Sequence, residues 1–205
     1  MQIGIDFDNT IINYNSIFHK VALDNGLITP EVPVNKVSVR DYLRNIGKES
    51  LWTEMQGYVY GSRIEEAEVF PGVLECLEWT LSEGIEVSIV SHKTLYPILG
   101  NRYNLHHAAS NWIIKFLTNE NGPLINPNMV YFELTKKSKL LRIRDIGCTV
   151  YVDDLPEILK DKDFPQNTAK LLFDPDDHHH IKDLSRASHW KDVRSYLENL
   201  WKSQN

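Results

Sequence analysis

The sequence predicts an α/β fold built on a parallel sheet, and three observations carry that prediction. Short apolar runs alternate with segments whose apolar residues recur at helical spacing. Several runs end in a polar cluster, as a buried strand does where it opens into a loop at its carboxyl end. One long excursion, residues 13–68, breaks the alternation directly after the first run. Strand–helix–strand order of this kind implies right-handed crossovers.

The first strand is Ile3-Gly4-Ile5-Asp6-Phe7, stopped by Asp8-Asn9-Thr10. The excursion carries Pro30 and Pro33, scattered aromatic residues, and short helical patterns at Ser16–Asn25 and Val39–Ile46. It reads as a mostly helical insertion over the sheet edge, sited to act as a lid. Its aromatic residues, Tyr42, Trp52, Tyr58 and Tyr60 among them, are first of all its own core. From Pro71 onward, Val73, Leu74, Leu77 and Leu81 fall at helical spacing and Gly84 ends the helix. Ile85–Val90 is a second strand with Ser91 at its end. A helix around Ala108–Leu117, a turn-rich stretch at Asn119–Asn128 and a third strand, Met129–Phe132, follow. A helix over Lys137–Ile146 passes through Gly147 to a fourth strand, Thr149–Val152, which runs into Asp153-Asp154. Ala169–Phe173 is a weaker fifth strand, and Val193–Trp201 a closing helix.

Bulk composition narrows the classes of function. At 205 residues the chain suits one domain with room for an insertion. A formal net charge of -6 gives no general attraction to nucleic acid or to an anionic membrane, although a local basic groove is compatible with it. Two cysteines, Cys76 and Cys148, are too few for a disulfide-stapled secreted scaffold. No apolar run reaches the roughly 20 residues that span a bilayer. Asp6 and Asp8 inside the first apolar stretch do not fit a secretory signal. A soluble, cytoplasmic protein is expected.

In an open parallel sheet, ligands bind outside the carboxyl ends of the strands. The first strand delivers Asp6 and Asp8 to that edge and the second delivers Ser91. The helix before the fourth strand delivers Lys139, and the fourth strand Asp153 and Asp154. Four carboxylates in one crevice raise one another's pKa unless a cation joins them. An all-oxygen ligand set points to magnesium, which keeps several waters and coordinates substrate phosphate. The ammonium and the hydroxyl are then donors to phosphate oxygens. Asp6 and Asp8 share one side of an extended strand, roughly 6–7 Å apart. One can bind metal and attack phosphorus, while the other donates a proton to the leaving group and later takes one from water.

Asp6-Phe7-Asp8-Asn9-Thr10, preceded by apolar Ile3-Gly4-Ile5, resembles the first motif of the haloacid dehalogenase superfamily of phosphohydrolases. Phe70-Pro71-Gly72-Val73-Leu74, with the helix and the strand ending at Ser91, resembles the second motif; Lys139 resembles the third and Asp153-Asp154 the fourth. The likeness covers about 1–12 and 69–160. It implies a Rossmann-like parallel-sheet core, 1–12 and 69–205, with a small helical cap, 13–68, inserted after the first strand. It further implies Asp6 as nucleophile and metal ligand, and Asp8 as general acid and base, binding magnesium through its carbonyl. Thr10 would brace the loop beside the phosphate, with Asn9 in support. Ser91 and Lys139 would hold the phosphoryl group, and Asp153 would ligate magnesium with Asp154 behind it. Lys136 and Lys137 lie near the same helix start, and Lys139 is preferred on its spacing to Asp153, with Lys137 second. The superfamily's dehalogenases usually lack a counterpart of Asp8 and need no metal, so its presence favours phosphate ester hydrolysis.

Other residues offer less. His92 and Lys93, directly after Ser91, are placed to line a substrate pocket. His178-His179-His180 cannot converge on one ion from adjacent positions and reads as an exposed loop. His106-His107 reads as part of a helix face. The expected partner is a small phosphorylated metabolite, of nucleotide or sugar phosphate class. Competing readings are a phospho-ligand binding module with little turnover, a polynucleotide 3'-phosphatase, and metal-free dehalogenation.

Overall fold

The computed structural model describes residues 1–179 and 181–204. In chain order the elements are β1 (Gln2–Ile5), β2 (Ile12–Asn13), α1 (Asn15–Asp24), α2 (Lys36–Asn45), α3 (Glu49–Gly61), β3 (Glu68–Val69), α4 (Val73–Ser82), β4 (Glu86–His92) and α5 (Leu105–Phe116). There follow β5 (Thr118–Asn119), β6 (Gly122–Pro123), β7 (Val130–Glu133), α6 (Lys136–Ile146), β8 (Val150–Asp153), α7 (Pro156–Leu159), β9 (Ala169–Phe173), β10 (Ser185–Ala187) and α8 (Trp190–Gln204). They form two compact units. One holds Met1–Ile11, Val69–His92 and the chain from Leu117 onward; the other holds Ile12–Glu68 and Lys93–Phe116.

The first unit is an α/β body. Its six-stranded sheet runs β10-β9-β8-β1-β4-β7, and the registered pairings are all parallel. Central β1 and β8 are buried and apolar at Ile3, Ile5, Val150 and Val152, as expected of strands covered on both faces. On one face Val90, Tyr151 and Leu172 pack with Leu140 and Ile143 of α6 and with Ile158 and Leu159 of α7. On the other, the Phe173 ring meets Phe70 edge-on at 5.0 Å and Trp190 of α8 at 6.0 Å.

Beyond small shifts in strand ends, two features of the sheet differ from the sequence reading. β4 runs past Val90, because Ser91 and His92 pair with Phe132 and Glu133 of β7. β10 carries no apolar run to announce it; Ser185 and Arg186 are exposed while Ala187 is buried. A short polar strand suits a sheet edge, where an apolar one would invite aggregation.

Gly4 is a glycine for a steric reason. It sits opposite Tyr151 in the ladder, and a Cβ there would stand 2.6 Å from the tyrosine ring and 2.7 Å from Cys148 Sγ. The missing side chain lets Tyr151 reach across β1 and donate its hydroxyl to the Val90 carbonyl of β4 at 2.5 Å.

The second unit is mostly helical. α1, α2 and α3 pack on one another, and α5 packs on α3. The sequence reading counts 93–116 with the α/β body, whereas these residues cluster with the helices of 12–68. Trp112 of α5 is fully buried and donates its indole N–H to the Ala67 carbonyl at 3.1 Å. Asn35 caps α2, its side-chain oxygen accepting from the backbone N–H groups of Val37 and Ser38. Trp52, Phe18 and Tyr14 form the aromatic core, with Tyr42, Tyr58 and Tyr60 half-buried around it. Among the described residues no helix is long and apolar enough to cross a membrane.

Replacing Gly4 with alanine is expected to destabilise the protein by about 1–3 kcal/mol, because Tyr151 must leave its rotamer or the strands must part. Chemical denaturation of Gly4→Ala beside Tyr151→Phe checks this. An unchanged midpoint in Gly4→Ala would contradict the steric account.

Candidate active site

The sheet register places the first carboxylates. Ile5 pairs with Val152, and the Asp6 backbone N–H donates to the Val152 carbonyl at 2.8 Å. The next rung therefore sets Asp6 beside Asp153. Strand alternation puts Gly4 and Asp6 on the same face as Tyr151 and Asp153, which is the face α6 covers. A capping box fixes where that helix starts: the Thr135 hydroxyl accepts from the Ser138 N–H, and Ser138 answers to the Thr135 backbone. Lys139 then falls one turn in. Its Nζ donates to Asp6 Oδ1 and to Asp153 Oδ2, each at 2.6 Å.

All three groups are out of water, with Lys139 1%, Asp6 4% and Asp153 0% exposed. The Tyr151 ring centroid lies 5.6 Å from the Lys139 ammonium. Burial alone would lower the Lys139 pKa, but Asp153 and Asp6 outweigh it and hold the ammonium protonated. Burial pushes Asp6 up, to about 7; Lys139 opposes this while Asp153 and Asp8 add to it. Lys139 thus bridges two members of a carboxylate group. Asp154 completes it: one oxygen from each of Asp6, Asp153 and Asp154 lies within 4.8 Å of the others.

The loop after β1 is held from below. Asn9 adopts a left-handed conformation, φ 57°, which asparagine tolerates better than most residues. The Ile11 N–H returns to the Phe7 carbonyl at 3.1 Å. The Thr10 carbonyl accepts the Trp190 indole N–H at 2.8 Å, and the Ile11 carbonyl accepts the Phe70 N–H at 2.9 Å. Gly72 is left-handed too, φ 91°, and a Cβ there would press on Trp190. Phe70-Pro71-Gly72 thus buttresses the first motif. Thr10 is fully buried, and its Oγ1 is the one buried side-chain oxygen or nitrogen, among the described residues, without a hydrogen-bond partner.

The sequence matches no family model and no curated protein. Solved structures do match. A haloacid dehalogenase family hydrolase from Deinococcus radiodurans superposes with a TM-score of 0.61 at 11% identity, covering 97% of this chain and 95% of that one. A β-phosphoglucomutase from Pyrococcus sp. strain ST 04 gives 0.56 at 14%, covering 98% and 99%. A haloacid dehalogenase-like hydrolase from Xanthomonas campestris gives 0.53 at 9%, covering 98% and 95%. The fold is that of the haloacid dehalogenase superfamily. At these identities the likeness is one of fold, and chemistry must be argued from the side chains.

The α/β body of this fold brings Asp6, Lys139, Asp153 and Asp154 together, with Asp8 close enough to raise the Asp6 pKa. β1 ends at Ile5, so Asp8 sits in the loop and not on an extended strand as the sequence suggests. Ser91 is buried at the carboxyl end of β4, His92 beside it is exposed, and Lys93 belongs to the helical unit. The lysine choice is plain in the geometry. Lys136 turns to the Glu157 carbonyl and Asp161, Lys137 is exposed, and only Lys139 enters the carboxylates. His178 is exposed and His179 half-buried, their backbone N–H groups donating to Asp174; His180 lies outside the described residues. Sequence reasoning missed Tyr151 and Trp190 as supports. The signal for Tyr151 was a lone glycine inside a buried strand, which marks close approach by another group.

Lys139→Met is expected to lower folding stability by about 3–5 kcal/mol, since it strands two buried carboxylates. Lys137→Met leaves stability unchanged. Denaturant titration of the two variants checks this, and an equal loss in both would contradict the placement of Lys139.

Proposed function

We propose that the protein is a magnesium-dependent phosphatase that hydrolyses a small phosphomonoester, of nucleotide or sugar phosphate class, through an aspartyl-phosphate on Asp6. The observation that carries this reading is the carboxylate cluster: one oxygen from each of Asp6, Asp153 and Asp154 lies within 4.8 Å of the others, beside an ammonium that contacts Asp6 and Asp153. An all-oxygen donor set of this kind fits a hard divalent cation. Asp6, Asp153 and Asp154, with the Asp8 carbonyl, would hold it. Bound magnesium supplies charge neutralisation at phosphate oxygens.

The residues of the chain supply the steps. Asp6 attacks phosphorus, an O–P bond forms to its carboxylate, and the bond to the leaving oxygen breaks as Asp8 gives that oxygen a proton. Asp8, now ionised, takes a proton from water; the water oxygen bonds to phosphorus and the Asp6–phosphorus bond breaks. Inorganic phosphate leaves and both carboxyls return to their starting states. Lys139 and Ser91 steady the phosphoryl oxygens. The orphaned Thr10 hydroxyl gains a partner if a ligand oxygen reaches it. The helical unit serves as the cap that excludes water. The Deinococcus structure of the same fold is described with phosphate and sodium bound.

Wild type is expected to hydrolyse p-nitrophenyl phosphate with added magnesium, with activity falling to background on chelation and in Asp6→Asn. Chelator-resistant turnover, or an active Asp6→Asn, contradicts the reading. Asp8→Asn is expected to cost about 10²–10⁴ in kcat on an alkyl phosphate. Its loss on p-nitrophenyl phosphate should be much smaller, because p-nitrophenolate leaves without needing a proton. Equal losses on the two substrates would remove Asp8 as the general acid.

A further inference from the structure

Tyr151 is fully buried in β8, between the apolar residues Val150 and Val152. Phenylalanine would meet the packing alone, since a buried hydroxyl costs free energy unless it finds a partner. That partner lies two strands away. The registered pairing of β1 with β4 ends at Ile5 and Ile89, whereas β4 continues to His92 in register with β7. At the first residue past that last rung, Val90, the carbonyl accepts the Tyr151 hydroxyl at 2.5 Å.

A trans peptide is planar, so the plane that carries the Val90 carbonyl also carries the Ser91 nitrogen. Holding that carbonyl therefore fixes one of the two peptide planes that meet at the Ser91 Cα. Ser91 itself is 1% exposed, near the carboxyl end of β4. The same tyrosine also meets Lys139. Its ring centroid lies 5.6 Å from the ammonium that bridges Asp6 and Asp153, and a ring face attracts a cation. The ring is itself held. Phe164 stands 6.2 Å from it, Leu140 and Ile143 of α6 pack in the same cluster, and Gly4 leaves the space that it fills.

One side chain thus links the strand that carries Ser91 to the lysine of α6, across the strand that delivers Asp6. We propose that Tyr151 is a positioning residue for the phosphoryl group. Its hydroxyl sets Ser91 and its ring sets Lys139, so the spacing of these two anion-binding groups is fixed by a single residue. This rests on the phosphatase reading, in which Ser91 and Lys139 hold the phosphoryl oxygens. Misplacing a group of that kind by about 1 Å can cost about a hundredfold in rate.

Calorimetry of inorganic phosphate binding, with magnesium present, tests the proposal through a double-mutant cycle. Tyr151→Phe keeps the ring and is expected to weaken phosphate binding about three- to tenfold. Ser91→Ala weakens it too, and adding Tyr151→Phe to Ser91→Ala should cost nothing more. Magnesium affinity is expected to be unchanged in Tyr151→Phe, because the ring and the carboxylates stay in place; a general loosening of the site would lower it. Unchanged phosphate affinity in Tyr151→Phe, an equal loss with and without Ser91, or a matching loss of magnesium affinity overturns the proposal. Gly4→Ala gives a second route, since it displaces the ring and keeps the hydroxyl. It should weaken phosphate at least as much, and an intact affinity again overturns the proposal. Wild-type turnover of p-nitrophenyl phosphate separates the two claims. Turnover without the coupling overturns the positioning role alone, and coupled phosphate binding without turnover overturns the phosphatase reading alone. Absence of saturable phosphate binding to wild type overturns the positioning role and, where turnover is absent too, the phosphatase reading with it.

Discussion

The Lys139 ammonium, shared between Asp6 and Asp153, is the interaction around which the α/β body is organised. It joins β1, β8 and α6 at one buried point, with both contacts at 2.6 Å. A lysine in the first turn of a helix works against the helix dipole, and a buried one carries a desolvation cost as well. Two carboxylates offset both costs. The proposed chemistry grows from the carboxylates that this point gathers, Asp154 among them.

Much of the supporting structure keeps this point in register. Gly4 gives up its side chain so that Tyr151 can cross β1 and tie β8 to the Val90 carbonyl. The same ring lies under the ammonium. On the other side, Trp190, Phe70 and Gly72 hold the loop that follows Asp6 through backbone carbonyls of Thr10 and Ile11. The site is rigid because its parts belong to strands and capped helices; the loop contributes the left-handed turn at Asn9.

The sheet was legible in the sequence wherever a strand is buried on both faces, since such strands read as continuous apolar runs. Ala169–Phe173 has the bounds expected of it, and β1, β7 and β8 differ from expectation by one or two residues. β10 was not legible because an edge strand of Ser185, Arg186 and Ala187 has no apolar period. Strand-end logic brought Asp6, Asp153 and Asp154 to one edge, and spacing to Asp153 preferred Lys139 over its neighbours without showing why it enters. That depends on a capping box, which sets the helix phase to the residue. The membership of 93–116 was hidden for a different reason: α5 has the amphipathic pattern of any crossover helix, and only tertiary packing on α3 tells where it belongs.

The balance of charge at the carboxylates is open to direct measurement by calorimetric titration of magnesium into wild type and Asp153→Asn. The expected result is saturable binding of one ion per chain to wild type, weakened at least about tenfold in the variant as a ligand is lost. No saturable binding to wild type, or the same affinity in Asp153→Asn, would contradict the claim that these carboxylates are assembled to hold a second cation beside Lys139.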